Sequence, residues 1–376
     1  MAATKSDIDV VLVRPFEMQR YRPGALTDIL LFFERRDVQL LERKAKTASF
    51  ASNTIHHHSQ IALQVLEFPV FKMLKPFLRS SSLTIDTARI YCGGTAEGFI
   101  GKLDLKGRGL KVETKLYPNT ASYGDIVPNS LVISHSPEDL RKYLDMSLKA
   151  LNVNQLEMWY LHGPDRTTPY EVTMKAVNDL YKEGKFKRFG ISNYMSWEVA
   201  ELVEICKANG YIQPTTYQGI YNAIHRTVEP ELFPCLRNYG ISFYAFNPLA
   251  GGFFTGRYHS ISDKVEPGSR FDSSKALGQH YRNRYWTETY FNALNAVDTV
   301  VSKHGLTLAE VPLRWMAHHS LLKREYGDKV IIGASSLGHI KQNLVDLEKA
   351  PLPGDVVHAL DEAWNAVKGS ATHYYH

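Results

Sequence analysis

The chain has 376 residues, a mass of 42.7 kDa and a formal net charge of +5. Hydrophobic residues make up 44% and charged residues 22% of the chain, values that are typical of globular proteins with a sizeable core and that exclude wholesale disorder. The weak, dispersed positive charge predicts no nucleic-acid partner. No apolar run approaches the roughly 18 residues that a membrane-spanning helix needs, so we expect no membrane partner.

The cysteine count bears on the compartment and on metal binding. Three cysteines, Cys92, Cys206 and Cys235, occur without a CxxC spacing, which argues against a disulfide framework and a structural zinc site. Residues 1–10 contain two aspartates and lack the pattern of a secretory signal peptide. We therefore expect a cytoplasmic protein without a metal site.

Residues 1–82 differ in composition from the rest of the chain. They contain one of the 25 glycines and carry most of the positive charge excess. Leu26–Lys44 has a helical pattern, whereas the segment as a whole has no regular strand and helix rhythm. Three adjacent histidines, His56–His58, cannot all face one ion on a regular helix, so a solvated loop is favoured there over a metal site. We interpret 1–82 as an atypical N-terminal segment that is partly helical or disordered.

From residue 83 onwards, short β-rich runs alternate with stretches of helical period. Helix signals include Ser136 followed by Pro137 and Asp139, and Ser196 with Gly210 as a stop. Such alternation predicts parallel βαβ units and an α/β fold, a (β/α)8 TIM barrel in which the first strand is missing or replaced. The seven strand-like runs are Leu83–Asp86, Lys111–Lys115, Leu156–Leu161, Phe189–Ser192, Thr215–Gln218, Ile241–Phe246 and Val330–Gly333.

Polar residues stand where these runs end, which is the active-site face of such a barrel. Asp86 and Lys115 end the first two runs, Tyr91 follows in the first loop, and His162 follows the third run. An ammonium beside a phenol lowers the pKa of the phenol, an aspartate keeps the ammonium charged, and a histidine orients a carbonyl oxygen. Together the four groups suit protonation of a carbonyl oxygen as a hydride reaches its carbon.

Each of the four residues also has an ordinary structural interpretation. A lone aspartate at a strand end is more often a helix cap, and a lone histidine before Gly163-Pro164 is more often a turn residue. A single rim tyrosine or a partly buried lysine is equally ordinary. The hydride interpretation depends on the four being in register at successive strand ends.

Hydride chemistry needs a cofactor, because no side chain stores hydride. The chain has no GxGxxG fingerprint, which argues against a Rossmann domain, and Gly251–Gly256 is not followed by the Lys-Ser/Thr of a P-loop. Residues 247–257 still form a glycine-rich segment with a cationic end that suits a pyrophosphate, although a plain mobile loop is the alternative. Arg270, Arg282 and Arg284 add guanidinium groups, and the segment before Leu337 resembles an anion-binding helix start.

The residues of 83–376 resemble the aldo-keto reductase superfamily, in particular its aflatoxin-aldehyde and succinic-semialdehyde reductase branch. The similar stretches follow one another in order, and they include IDTARIYCGGTAE at 85–97, TKLYP at 114–118, WYLHGPDRTTP at 159–169, FGISNYMSWEVAELVEIC at 189–206, FYAFNPLAGGFFTGRY at 243–258 and GASSLGHIKQN at 333–343. The resemblance implies a barrel domain over 83–376 that binds NADPH and reduces a small-molecule aldehyde, with a homodimer as the common assembly of the branch.

The resemblance also assigns roles to individual residues. Tyr91 would be the general acid, Lys115 its pKa partner, Asp86 the support of the lysine and His162 the residue that orients the substrate. Arg284 matches a position that receives the carboxylate of an acidic substrate. The expected NADP(H)-binding residues are Ser192, Asn193, Gln218, Phe246, Asn247, Pro248, Leu249, Gly251, Arg257, Arg270, Ser335, His339, Gln342 and Asn343, of which His339 departs from the amide or acid that is commoner there.

The start of the chain departs from the family pattern, which opens with a strand and a glycine-rich loop. Two explanations are open: a divergent extension, or a start that does not belong to the barrel, as a retained intron would produce, and we favour the second. A barrel without its first strand has two unpaired edges and lacks part of its interior. Two further functions are therefore considered besides aldehyde reduction: an NADPH-binding regulatory subunit resembling potassium-channel β subunits, and an inactive product with a disrupted N-terminus.

Overall fold

The computed structural model describes residues 10–15, 84–107, 109–120, 132–334 and 337–376. The helical pattern of Leu26–Lys44, the histidines His56–His58 and the predicted cofactor residue Ser335 lie outside the described residues. Most of the atypical segment 1–82 does so as well.

The described strands form one eight-stranded sheet. Its hydrogen-bonded order is β1-β8-β7-β6-β5-β4-β3-β2, so that seven consecutive strands are parallel and adjacent in sequence order. The strands are β1 Val10–Pro15, β2 Thr84–Asp86, β3 Lys111–Leu116, β4 Leu156–Leu161, β5 Phe186–Ser192, β6 Thr216–Ile220, β7 Ser242–Phe246 and β8 Lys329–Ala334.

Helices follow the parallel strands, as βαβ units require. Three consecutive helices lie between β7 and β8, and two follow β8. The ten described helices are α1 Ala96–Ile100, α2 Pro137–Leu151, α3 Tyr170–Lys182, α4 Ser196–Asn209, α5 Leu232–Tyr239, α6 Ala276–Tyr285, α7 Glu288–Lys303, α8 Glu310–His318, α9 Leu337–Glu348 and α10 Gly354–Val367. None of these helices combines the length and apolarity that a membrane span needs.

The first strand is the element that the sequence analysis did not find. Residues 10–15 pair with β8 in an antiparallel register, from Val10 opposite Ala334 to Pro15 opposite Lys329. The apolar sequence VVLVRP explains why this segment forms a strand. The structure thus confirms a (β/α)8 TIM-type barrel in which the first strand is replaced by an atypical N-terminal segment.

The core has two layers because successive side chains of a strand point to opposite faces. In β4, Trp159 and Leu161 belong to the large cluster that joins sheet and helices, whereas Met158 and Tyr160 form a smaller cluster with Tyr244 and Ile331. Gly190 on β5 makes this packing possible, because a Cβ there would lie 2.4 Å from the Tyr160 ring. Glycine at that position therefore makes room for the tyrosine.

All seven predicted strand runs are confirmed, with ends that differ by up to three residues. The start of α2 is confirmed as well, since Ser136 Oγ accepts a hydrogen bond from the backbone N–H of Asp139 at 3.2 Å. For α4 the predicted cap is wrong by one residue, because Ser196 is the first helical residue. Glu198 accepts instead from the backbone N–H of Met195 at 2.7 Å, and Gly210 ends the helix at φ 64°.

Candidate active site

A buried ion pair lies where β2 and β3 end. Lys115 Nζ donates to Asp86 Oδ2 at 2.6 Å and to the carbonyl oxygen of Thr87 at 2.8 Å. Lys115 is completely buried and Asp86 is 2% exposed. Burial raises the pKa of Asp86 and lowers the pKa of Lys115, and in each case the opposite charge of the partner counteracts the shift. Each of the two groups therefore depends on the opposite charge of its partner to remain ionised.

A tight turn after β2 places Tyr91 over this pair. The turn is the 3-10 segment Tyr91–Gly94, with left-handed backbone at Cys92 (φ 55°) and Gly93 (φ 63°). The Arg89 N–H donates to the carbonyl oxygen of Lys115 at 2.9 Å, which fixes the turn to β3. Lys115 Nζ lies 5.1 Å from the centroid of the Tyr91 ring. Phenol and ammonium therefore lie on the same side of the molecule, as the sequence predicts.

The pKa of Tyr91 is shifted in the direction opposite to the one expected from the sequence. Burial raises the pKa of the phenol well above its usual value, and the Asp86 carboxylate raises it further. The expectation of a lowered pKa is wrong for the protein alone, because burial of the phenol, the largest cause, and the charge of Asp86 both raise this pKa. Tyr91 is consequently held in its protonated form, in which a phenol can give up a proton.

His162 follows β4, and its ring lies between those of Tyr91 and Tyr117. Its ring centroid lies 5.7 Å from that of Tyr91, at an interplanar angle of 77°, and 5.4 Å from that of Tyr117. Burial, followed by the charge of Lys115, lowers the pKa of His162 well below its usual value, so the imidazole is neutral. The buried Nδ1 atom has no hydrogen-bond partner among the described residues. The four predicted catalytic residues are thus brought together.

A second buried acid supports the turn that carries Tyr91, and the sequence analysis did not identify it. Glu97 on α1 is completely buried and accepts hydrogen bonds from Thr114 Oγ1 at 2.6 Å and from Arg89 Nη1 at 3.1 Å. It links the two ends of the turn to the residue that precedes Lys115. Its signal in the sequence is that Glu97 ends the stretch IDTARIYCGGTAE at 85–97, on which the family resemblance partly rests.

Another acid lies deeper in the barrel. Glu113 on β3 is 2% exposed and accepts a hydrogen bond from the Tyr160 hydroxyl at 2.9 Å. Burial, with a contribution from Asp86, raises the pKa of Glu113 to about 7. Its position opposite Asp86 in the β2–β3 register explains the repulsion between the two carboxyl groups.

The residues expected to hold the nicotinamide line the same edge of the sheet. Ser192 ends β5, and Asn193 follows in a left-handed conformation at φ 62°. The Asn193 side-chain amide donates to the His162 carbonyl oxygen at 2.7 Å and to Ser192 Oγ at 3.1 Å. Gln218 Nε2 donates to Asp86 Oδ1 at 3.1 Å. These amides therefore adjoin the catalytic residues directly.

The glycine-rich segment after β7 is ordered around Tyr281 of α6. The Tyr281 hydroxyl donates to Asn247 Oδ1 at 3.1 Å and accepts from Arg270 Nη1 at 2.7 Å. Asn247 (φ 64°) and Gly251 (φ 68°) are left-handed, and a Cβ on Gly251 would lie 2.3 Å from the Tyr281 ring. Of the neighbouring predicted residues, Pro248 is buried, while Phe246 and Leu249 are half-buried.

Four other predicted cofactor residues lie at the end of the glycine-rich segment and on α9. Arg257 is exposed and pairs with Glu266 at 3.1 Å. On α9, Gln342 Nε2 donates to Asp346 at 2.8 Å, Asn343 Nδ2 donates to the carbonyl oxygen of Gly333 at 3.4 Å, and His339 is exposed. The described contacts therefore do not join these four residues to the catalytic group.

The end of the chain contacts Asn193 and Tyr117 and lies beside Arg284. The backbone N–H of His376 donates to the Asn193 carbonyl oxygen at 3.1 Å, and His376 Nδ1 lies 2.8 Å from the Tyr117 hydroxyl. Thr372 Oγ1 lies 3.4 Å from Arg284 Nε. The individual contacts of Tyr117 and of this tail could not be predicted from the sequence, because they join segments that are far apart in the chain.

The comparisons with known proteins agree with this arrangement. The sequence model of the Aldo/keto reductase family matches residues 64–365. An aldo-keto reductase of Pseudocercospora fijiensis is 47% identical over 303 residues, which cover 81% of this chain and 100% of that protein. Aflatoxin B1 aldehyde reductase member 2 of Mus musculus is 42% identical over 311 residues, which cover 80% of this chain and 82% of that protein.

A solved structure supports the fold independently. The glycerol dehydrogenase of Gluconobacter oxydans superposes with a TM-score of 0.58 at 22% identity, covering 74% of this chain and 80% of that one. This likeness concerns the fold alone, whereas the sequence matches extend over most of the chain. The chain belongs to the aldo/keto reductase family, and its relatives include the aflatoxin-aldehyde reductases that its sequence resembles.

Proposed function

We propose that this protein reduces aldehydes to primary alcohols with NADPH as the hydride donor. The observation that carries the proposal is the convergence of a protonated phenol, a buried ion pair and a neutral imidazole on one edge of the sheet. When bound, the reduced nicotinamide supplies the hydride for the carbonyl carbon. The similarity to aldehyde reductases supports an aldehyde as substrate.

In this proposal Tyr91 donates its hydroxyl proton to the carbonyl oxygen, which becomes the alcohol oxygen. The phenolate that remains is stabilised by the ammonium of Lys115, whose Nζ lies 5.1 Å from the ring centroid, and is reprotonated from solvent. His162 is neutral, so an imidazole N–H is able to donate to the same carbonyl oxygen without competing for the proton. Asp86 holds Lys115 in place and charged.

The residues around the glycine-rich segment fit a dinucleotide. Asn247 Nδ2 and Ser269 Oγ are buried without a partner among the described residues, as expected of groups that bind a ligand. Gly251 and Gly252 have left-handed backbone and carry no side chain that would shield the backbone N–H groups from a pyrophosphate, and Arg270 offers a guanidinium for the 2′-phosphate of NADP(H). Ser192, Asn193 and Gln218 would hold the carboxamide.

The surroundings of Arg284 favour one class of aldehyde as substrate. It is 6% exposed, and its guanidinium makes no ion pair with a carboxylate of the described residues. A substrate with a second, anionic end, such as a semialdehyde, would supply the missing charge.

A cytoplasmic location, a homodimer and a domain boundary at residue 82 remain predictions.

The test is turnover by the purified full-length protein. NADPH oxidation is followed at saturating succinic semialdehyde and, separately, at saturating 4-nitrobenzaldehyde, with Tyr91→Phe as the control. We expect turnover by the wild type and a loss of roughly 100- to 10,000-fold in the variant, the usual contribution of a general acid. Equal rates in both proteins would contradict the proposal.

NADPH affinity, measured in parallel by fluorescence, separates the alternatives. Tight binding of NADPH without turnover by the wild type would favour the regulatory-subunit alternative. Absence of binding and of thermal stabilisation by NADPH would favour an inactive product, because a ligand of the native state raises the melting temperature.

A further inference from the structure

The surroundings of Arg284 are unusual for a buried cation. Its Nη2 lies 3.0 Å from His280 Nε2, and its Nε lies 3.4 Å from Thr372 Oγ1. The other two buried arginines of the described residues have carboxylates: Arg226 pairs with Asp361 at 2.7 Å, and Arg314 lies 3.9 Å from Glu310. An imidazole takes the place of the counter-ion at Arg284.

The contact with His280 fixes the state of that imidazole. A guanidinium has only N–H donors, so His280 Nε2 must be the acceptor, and the proton of the neutral ring resides on Nδ1. Protonation would set an N–H of His280 against an N–H of Arg284. In keeping with this, partial burial followed by the charge of Arg284 lowers the pKa of His280.

The other described side chains that face Arg284 add no negative charge. From the loop after β6, His225 is completely buried, and burial together with Arg284 lowers its pKa to about 3. From the tail, His376 lies beside His280, with ring centroids 6.2 Å apart, and burial together with His280 and Arg284 lowers its pKa to about 4. Two phenols, Tyr285 of α6 and Tyr290 of α7, complete the surroundings, and burial keeps both protonated.

We propose that His280 determines specificity for aldehydes that carry a carboxylate, because binding of the carboxylate at Arg284 frees His280 to take up a proton. A carboxylate oxygen accepts from the Arg284 guanidinium in place of His280 Nε2. His280 is an exposed residue, so the freed imidazole then binds a proton from solvent and becomes a second cation facing the anion. This inference rests on the proposed function. It adds which aldehydes bind more tightly and how their affinity depends on pH.

The sign of the pH dependence follows from linkage. The pKa of His280 is low in the free protein and higher in the complex with a carboxylate, so the complex holds more protons and its affinity increases as the pH falls. One linked proton changes affinity by at most about 10-fold per pH unit. Between pH 7.5 and 5.5 we expect the preference for an acidic aldehyde to increase roughly 3- to 10-fold, since the titration covers part of that window.

The readout is the ratio of kcat/KM for succinic semialdehyde to kcat/KM for 4-nitrobenzaldehyde, because effects on the chemical step cancel in it. The expected increase at low pH should disappear in His280→Gln, whose amide oxygen still accepts from Arg284 and does not titrate. His358→Gln, an exposed histidine on α10, is the matched control and should behave as the wild type. His376→Gln measures how much of the effect comes from the tail.

A binding measurement provides an independent readout. Succinate is titrated calorimetrically into the protein with NADP+ at pH 6.5, in buffers of different ionisation enthalpy, which gives the number of protons taken up. We expect proton uptake in the wild type and in His358→Gln, and close to none in His280→Gln.

The outcomes distinguish this inference from the proposed function. Turnover of both aldehydes with a ratio that is independent of pH, or with the same pH dependence in His280→Gln, would overturn the inference and leave the function intact. Failure to turn over either aldehyde would overturn the function, while succinate binding with proton uptake would still support the site. Succinate binding without proton uptake would contradict the role of His280.

Discussion

Two buried cations of the same catalytic face differ in their surroundings. Lys115 is completely buried and has Asp86 at 2.6 Å, whereas Arg284 is 6% exposed and contacts an imidazole and a hydroxyl. A buried charge requires compensation. The charge of Lys115 is compensated by Asp86, and its ammonium lies next to Tyr91 within the site. Arg284 lacks an anion of its own among the described residues, which is what a binding site for an anionic ligand requires.

The largest effect is expected from a substitution that breaks the ion pair between Asp86 and Lys115. Asp86→Asn removes the anion and leaves the Lys115 ammonium buried without a counter-charge. We expect a loss of about 3–5 kcal/mol in the free energy of unfolding, measured by urea denaturation, together with a large loss of activity. Asp145→Asn, which breaks the exposed pair with Lys185 at 2.8 Å, is the control and should cost about 1 kcal/mol or less. Equal losses in the two variants would remove the distinction between the buried and the exposed pair.

Glu113 extends the comparison to a buried acid that makes no ion pair within 4 Å among the described residues, although the charges of Lys329 and Arg188 act on it from farther away. Its pKa is about 7 in the folded protein and about 4.5 in the unfolded chain, so the unfolded chain loses this proton at lower pH. The free energy of unfolding therefore decreases as the pH rises from about 4.5 to 7. Glu113→Gln should remove that loss, which amounts to about 3 kcal/mol for a shift of this size. Urea denaturation at pH 5 and pH 8 measures it. The exposed Glu201→Gln is the control, and a variant with the same pH dependence as the wild type would refute the assignment.

Arg284→Gln examines the uncompensated cation. A charge-assisted contact to a carboxylate contributes about 1.5–3 kcal/mol, so KM for succinic semialdehyde should rise roughly 10- to 100-fold. KM for 4-nitrobenzaldehyde should change little, because that substrate has no carboxylate. Stability should be nearly unchanged, since no carboxylate of the described residues is left unpaired by the substitution. A parallel increase in both KM values would contradict a carboxylate site.

The strand ends explain why the catalytic group could be predicted from the sequence. Asp86, Lys115 and His162 stand at the ends of β-rich runs whose pattern is local, and parallel strands bring those ends to one edge. The position of Tyr91 required a tight turn, which Gly93 and Gly94 indicate. The direction of the pKa shift of Tyr91 could not be predicted from the sequence, because it depends first on how completely the phenol is buried and then on the nearby Asp86 carboxylate.

The elements that escaped prediction depend on contacts between distant parts of the chain. The strand at 10–15 has an apolar sequence, yet its antiparallel pairing with β8 joins residues more than 300 positions apart. The contacts of Tyr117 with His162 and His376 likewise join separate segments, and the partners of Arg284 come from α6 and from the tail. Periodicity describes the elements themselves and carries no information on such pairings.

The pH dependence of kcat/KM for 4-nitrobenzaldehyde, compared between the wild type and Lys115→Met from pH 6 to 10, tests the central claim most directly. Burial lowers the pKa of Lys115, so the wild type should lose activity in the alkaline range as the ammonium that stabilises the Tyr91 phenolate is deprotonated. Lys115→Met should bind NADPH, reduce the aldehyde at least roughly 100-fold more slowly, and lack that alkaline loss. A variant with the rate and the pH profile of the wild type would contradict the claim that Tyr91 and Lys115 act together.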